Sequence, residues 1–351
     1  MAHPKVSVIM AVYNEERYLR GALESILNQT FADFELLIVN DGSTDGTEEI
    51  IRSCRDSRIR LFNQENKGLT KSLNRALSLA RANYFARMDG DDISQPQRFA
   101  RQVEILDNNP TIGLVGSFVY RMDEKGGRCN LCSYPMESEG IREALWSTCP
   151  LCHPSVMYRR ACVERVGPYR EKVGPSEDLD FYFRVSEHFD VANISEPLLS
   201  YRVRPEGITM QRRFDQLRYG RLVRKMAEER RQTGRDSLDD MSEDQVARLL
   251  EQFLPRTPEN ERKVIEAICI NLAEIAYVTG NYGRAARWLT KHMVKNLRSR
   301  RGWLLAAKLA VCSVVEKNAL QHIIAMGSSR SHGRGYPVAG AGRGSQSGKE
   351  R

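Results

Sequence analysis

From Val6 to Val12 the chain is apolar except at Ser7, and so short and continuous a run reads as a strand buried on both faces. Apolar positions then recur at Leu19, Ala22, Leu23, Ile26 and Leu27, the spacing of one helix face. The alternation repeats. Phe34 to Val39 reads as a second buried strand, Thr47 to Ser53 as a short helix and Ile59 to Phe62 as a third strand. Gly68 to Ala82 reads as a helix with Leu69, Leu73, Ala76, Leu77 and Ala80 on one side, and Tyr84 to Met88 as a fourth strand. Ser94, with Gln97 three residues on and Pro96 between them, reads as the cap of a helix that runs through Phe99, Val103 and Leu106 to Asn108-Asn109-Pro110. Alternation of this kind predicts an α/β fold: a mainly parallel sheet flanked by helices on both faces.

Beyond Pro110 the pattern is less regular. Ile112 to Met122 reads as a strand, Arg128 to Tyr134 as an edge strand and Glu139 to Trp146 as a helix. Ser176 is placed to cap a helix reaching about His188, and Val191 to Ile194 and Leu198 to Val203 read as two short strands. After Pro205 the texture turns helical and dense in Arg, Lys and Glu, with a helical hairpin at Gly280-Asn281 inside 271–295. From Gly327 on, Gly, Ser and Arg dominate, a composition that predicts disorder. The expected organisation is a domain over 1–205, an α-helical region over 206–326 and a disordered tail over 327–351.

Charge changes this picture in one respect. The net charge is +8, but residues 291–351 hold 12 Lys/Arg and 2 Asp/Glu, so the remaining 290 residues carry 8 − 10 = −2. The basic balance belongs to the C-terminal region, which argues against nucleic acid as a partner of the main domain. Lys5 is followed at once by a strand pattern and not by a long apolar leader segment, so a cytoplasmic location with reduced thiols is expected.

The candidate chemistry lies in the turns after the predicted strands. Asn14-Glu15 follows the first, Asp41 the second, and Arg87-Met88-Asp89-Gly90-Asp91-Asp92 spans the end of the fourth. If these strands are parallel neighbours, the turns open on one edge of the sheet, where such folds place ligands. An Asp-x-Asp pair repels phosphate directly but grips it through a divalent cation, which prefers hard carboxylate oxygens. Asp41 is suited to a base N–H, Asp89 to a ribose hydroxyl and Asp91 to the metal on a diphosphate. A Gly-x-Gly-x-x-Gly turn after the first strand, a P-loop and a Gly-x-Ser-x-Gly elbow are all missing, which excludes the common dinucleotide, P-loop and serine-hydrolase sites.

Six segments in order carry a family resemblance: Val6 to Glu15, Asn40-Asp41-Gly42-Ser43-Thr44-Asp45, Asn66-Lys67-Gly68-Leu69 with Asn74, Arg87 to Asp92, His153-Pro154-Ser155, and Glu177-Asp178. With them the first ~205 residues resemble a family 2 glycosyltransferase of the GT-A fold. The resemblance implies an inverting, metal-dependent enzyme that moves a sugar from a nucleotide-diphosphate donor, usually UDP-linked. The acceptor would be a hydroxyl of a growing surface polysaccharide or lipid-linked glycan. It implies Asp178 as catalytic base, Tyr13, Glu15, Asp41, Lys67, Arg87 and Asp89 around the donor, Asp91 on Mn2+ or Mg2+, and His153 and Glu177 beside donor or acceptor. The family often has a small side chain such as Ala at the position of Gly90, a departure expected to be harmless. The competing reading is an idle sugar-nucleotide-binding scaffold that acts through its helical C-terminal region.

Two features stand apart. Cys129-x-x-Cys132 and Cys149-x-x-Cys152 have the spacing of a four-cysteine zinc site. The second pair, however, leads into His153-Pro154, where the family has apolar residues, so structural zinc is not expected and the thiols read as small hydrophobes. Trp303 to Val315, flanked by Arg298, Arg300, Arg301 and Lys317, makes 298–317 a candidate for peripheral contact with an anionic membrane on its inner face. A core helix with a solvated basic face is the alternative there.

Overall fold

The computed structural model describes residues 3–295 and 301–309 of the chain. Strand β1 (Val6–Val12) buries both faces, as its unbroken apolar run requires. Val8, Met10 and Val12 enter one hydrophobic cluster with helix α1 (Leu19–Leu27), while Ile9 enters another across the sheet. β2 (Phe34–Asp41) divides the same way, Leu36 and Ile38 to the first cluster, Leu37 and Val39 to the second. Helix α2 (Thr47–Ser53) and strand β3 (Ile59–Gln64) follow, then α3 (Leu69–Leu79) and β4 (Tyr84–Asp89). The sheet order begins β3-β2-β1-β4, all parallel. Parallel neighbours end on one side, so the turns after β1, β2 and β4 share an edge.

The chain then builds the rest of a nine-stranded sheet: β5 (Ile93–Ser94), helix α4 (Arg98–Asn108), β6 (Ile112–Met122), edge strand β7 (Arg128–Cys132), α5 (Ser138–Leu145), β8 (Met157–Arg159), α6 (Arg160–Val166), α7 (Glu177–Ser186) and β9 (Asp190–Arg202). The two short strands expected at 191–203 are one strand, parallel to β6. Pro197, which cannot donate to the ladder, sits opposite Phe118 at a register shift, so the strand bends there without ending.

Ser94 does not cap α4. It lies in β5, paired with β9, and the helix starts only at Arg98. The cap comes from far away: Gln29 Oε1 accepts from the Phe99 N–H (3.1 Å) while its Nε2 donates to Ser94 Oγ (3.1 Å) and the Gln95 carbonyl (2.7 Å). Sheet pairing has displaced the local capping pattern. Ser176 likewise stands at the N-cap of α7 without capping it, donating instead to the Gln216 carbonyl oxygen at 3.3 Å.

Five helices follow over 208–295: α8 (Ile208–Gln211), α9 (Arg213–Thr233), α10 (Glu243–Phe253), α11 (Pro258–Val278) and α12 (Tyr282–Lys295). Leu222, Val223 and Met226 of α9 and Val246 and Leu250 of α10 share a core with Leu179 and Phe181 of α7. A buried charge network ties the same elements. Asp180 pairs with Arg170 and Arg184, and Asp236, just beyond α9, pairs with Arg170 and Arg230. The α11–α12 hairpin turns at Gly280, whose φ of 75° suits glycine. Residues 301–309 are helical and belong to a separate unit. Residues 298–300 and 310–317 of the candidate membrane segment, and the 327–351 tail, lie outside the described residues. No helix among the described residues is long and apolar enough to cross a membrane.

Candidate active site

A cleft of about 1290 Å³ opens where β1, β2 and β4 end. Tyr13, Glu15, Asp41, Lys67, Arg87, Asp89, Asp91, His153, Glu177 and Asp178 all line it. The shared edge of the parallel strands supplies the first seven. The connection 146–156, threading under β4, and the start of α7 supply the rest.

The Asp89–Asp92 turn is bound on every side. Arg87, 2% exposed, pairs with Asp89. Asp92, fully buried, accepts the Arg202 N–H at 2.7 Å and so fastens the turn to β9. Arg204, two residues past β9, donates from Nε to Asp91 Oδ2 (2.8 Å) and bridges to Glu15. Burial pushes the Glu15 carboxyl up to about 8, with Asp91 adding to the shift and Arg204 opposing it. Burial also raises Asp91 and Asp92, and each is raised further by its acidic neighbours. Neither Arg202 nor Arg204 was a candidate from sequence. The one available signal was a strand ending in Arg-x-Arg just before Pro205.

Gly90 is less permissive than its place in a turn suggests. A Cβ there would lie 2.9 Å from Val12 Cγ1, so an alanine at this position would press on β1. Gly90→Ala is expected to cost about 1–3 kcal/mol through overpacking against β1, read as a lower denaturation midpoint; a midpoint equal to the parent's would show that Val12 yields freely.

Asp41 is 4% exposed and largely occupied. Oδ1 accepts from Gln64 Nε2 (2.6 Å) and the Lys67 N–H (2.8 Å), and Oδ2 from the Gly68 N–H (2.8 Å). It therefore shapes the 64–68 loop, and one acceptor position on Oδ2 remains. Gly68, at φ 89°, starts α3 and lets that loop fold back. The Lys67 ammonium is exposed at the rim.

On the far side, Glu177 and Asp178 form the first turn of α7. Burial pushes Glu177 up to about 8, with Asp178 next in effect. Desolvation raises Asp178 too. Its Oδ1 accepts from the Leu179 N–H at 2.7 Å and its Oδ2 from the Cys149 thiol at 3.7 Å. His153 is held well below its ordinary pKa by burial, with Arg87 adding, and is neutral. Its Nε2 meets the Tyr169 hydroxyl at 3.1 Å. Asn74 clamps Tyr169 from both sides of its backbone, donating to its carbonyl (2.8 Å) and accepting from its N–H (3.1 Å).

Carboxylate oxygens of Asp89, Asp91 and Asp92 lie within 4.8 Å of one another, the one such group of metal-ligating type among the described residues. The four cysteines Cys129, Cys132, Cys149 and Cys152 are free and form no such group there. Asp92 Oδ2 and Glu15 Oε2 are buried without a hydrogen-bond partner among the described residues. Hard oxygens in excess of donors fit a divalent cation.

The sequence profile described as Glycosyl transferase family 2 matches residues 7–167. EpsE of Bacillus subtilis (strain 168), named as a glycosyltransferase, is 37% identical over 217 residues, which span 60% of this chain and 76% of EpsE. The O-antigen biosynthesis glycosyltransferase WbnJ of Escherichia coli is 30% identical over 206 residues, 56% of this chain and 79% of WbnJ. Among solved structures, S. aureus TarS 1–349 in complex with UDP-GlcNAc matches with a TM-score of 0.53 at 18% identity, over 83% of this chain and 89% of that one. That likeness concerns the fold, which is GT-A. A relative matched at 37% identity over 76% of its own length places this chain in glycosyl transferase family 2.

Proposed function

We propose that this chain transfers a glycosyl group, with inversion, from a UDP-sugar to a hydroxyl of a surface polysaccharide or lipid-linked glycan. The observation that carries the reading is that Asp41, Asp89, Asp91 and Asp178, brought from two separate turns and a helix start, line one cleft. A UDP-GlcNAc complex of the structural neighbour TarS and the O-antigen role in the name of WbnJ support the donor and acceptor classes.

In this reading the remaining acceptor position of Asp41 takes the base N–H, and Lys67 and Tyr13 close the rim over the nucleoside. Asp89 accepts from the ribose. Arg87, whose Nε has no hydrogen-bond partner among the described residues, faces the diphosphate. Asp91 would hold the divalent cation, Mn2+ or Mg2+, which supplies neutralising charge to the departing diphosphate. Asp178 takes the acceptor hydroxyl proton as the oxygen bonds to the anomeric carbon. The bond from that carbon to the diphosphate oxygen breaks, and its electron pair leaves with UDP. With one base and no placed nucleophile, attack and departure occur on opposite faces of the sugar. Burial disfavours the charged forms of His153 and Glu177 in that corner.

The test is a panel of UDP-sugars with purified protein and manganese. Release of UDP from one donor, abolished by EDTA and restored by added manganese, is the expected result. A panel with neither turnover nor donor binding would overturn the reading.

A further inference from the structure

One ligand of drug size fills a site of roughly 300–1,000 Å³, so a cleft of about 1290 Å³ has room beyond the donor. One wall of that space is the loop after β9 and the first half of α9. Arg213, Leu217, Gly220 and Arg224 line the cleft at steps of three or four residues, which is one helix face, and Arg221 joins them beside Gly220. From 213 to 224 that face runs about 16 Å, at 1.5 Å per residue.

The arginines of α9 divide by where they point. Those outside the cleft lining hold acids: Arg218 pairs with Glu251, Arg230 with Glu187 and Asp236, and Arg231 with Glu228. Those that line it hold no carboxylate among the described residues. Arg213 reaches Gln216 Oε1 at 3.5 Å, and Arg221 donates to the Phe253 carbonyl. Arg224 donates to the carbonyls of Leu145 and Thr148, both at 3.0 Å. Arg212, at the end of α8, lines the cleft as well. Neutral carbonyls orient a guanidinium without cancelling its charge. Glu206 is the one acid that residues 205–224 add to the lining.

We infer that this face is the acceptor track and that the acceptor carries phosphate, as a diphosphate or as repeated phosphodiesters, set back from the hydroxyl that reacts. The inference rests on the glycosyltransferase reading above. Guanidinium forks match phosphate oxygens two at a time, and a row of them on a rigid helix holds an extended anion in register. The track does no chemistry; it aligns the acceptor so that one hydroxyl reaches Asp178.

The experiment fills the donor end with saturating UDP and manganese and then titrates three fluorescent probes. They are a short-chain polyprenyl diphosphate, a glycerol-phosphate oligomer and an uncharged oligosaccharide of equal length. At least one phosphate probe is expected to bind, more weakly as salt rises. The triple variant Arg212→Gln/Arg213→Gln/Arg221→Gln is expected to lose about tenfold or more in that affinity, the worth of one charge-assisted bond. Preference for the diphosphate identifies a lipid-linked acceptor, and preference for the oligomer a polymeric one; both support the track. Arg212→Gln/Arg213→Gln, which removes no bond to a backbone carbonyl, serves if the triple variant does not fold. Equal binding of the uncharged probe, or phosphate binding untouched by the variants, overturns the inference. UDP affinity of the unaltered protein is read first, in a titration with UDP and manganese alone. Its absence strikes the glycosyltransferase reading, whereas its presence without phosphate binding strikes the track alone.

Discussion

Asp178→Asn is expected to lower turnover by about 10²–10⁴-fold, the contribution of a positioned general base, while leaving UDP affinity near that of the parent. Asparagine keeps the size and can still accept the Leu179 N–H that now reaches Asp178 Oδ1 at 2.7 Å. What it cannot do is take a proton. The pH profile carries a second readout. Desolvation raises the Asp178 carboxyl, so the base is lost as pH falls through a value above the ordinary range for aspartate. Glu177, pushed up to about 8, ionises only as pH rises through that point and then sets a second charge beside the base. A rate maximum below pH 8 is expected, and Glu177→Gln should remove its alkaline limb while leaving the acid limb in place. A variant at position 178 that turns over at the parental rate would take the base role away from it.

Much of this arrangement was legible because it rests on local pattern. Continuous apolar runs gave β1, β2 and β4 both faces, and their parallel pairing put Glu15, Asp41 and Asp89–Asp91 on one edge. Motif order carried His153 and Asp178 to the same cleft. What the chain did not disclose was the work done across long sequence separations. The cap of α4 comes from Gln29, and the counter-charges of Glu15 and Asp91 come from Arg204. Arg98, fully buried, ties the end of β4 to the segment after His153 by donating to the carbonyls of Arg87 (2.7 Å) and Val156 (3.3 Å). In sequence Arg98 is only a polar residue in a first helical turn. Such contacts depend on which strands become neighbours, and β9 in particular read as two strands with no assigned partner.

The second large effect concerns stability. Asp180→Ala is expected to cost about 3–5 kcal/mol, because it leaves buried guanidinium groups without their counter-ion. Asp180 has no exposed surface, accepts from Arg184 Nε at 2.8 Å and from Arg170 Nε at 3.1 Å, and sits one turn above Glu177. Arg170 also holds Asp236 at 2.9 Å, so the loss extends to the seam where the segment after α9 meets α7. Denaturant unfolding measures it. Because Asp180 lies on the helix that begins with Glu177 and Asp178, turnover at permissive temperature should fall as well. A loss under 1 kcal/mol, within the usual range for an exposed ion pair, would show that water reaches this network.

Arg204 has one more consequence. It holds Asp91 and Glu15 with a positive charge that the polypeptide itself brings, and it stands only two residues beyond the last strand. The crowded acids are kept from repelling one another by a resident counter-ion. A divalent cation held by Asp91 would compete with this tethered guanidinium for the same carboxylate. In the proposed reading, metal occupancy and the setting of the chain just past Arg202 would be linked through Asp91.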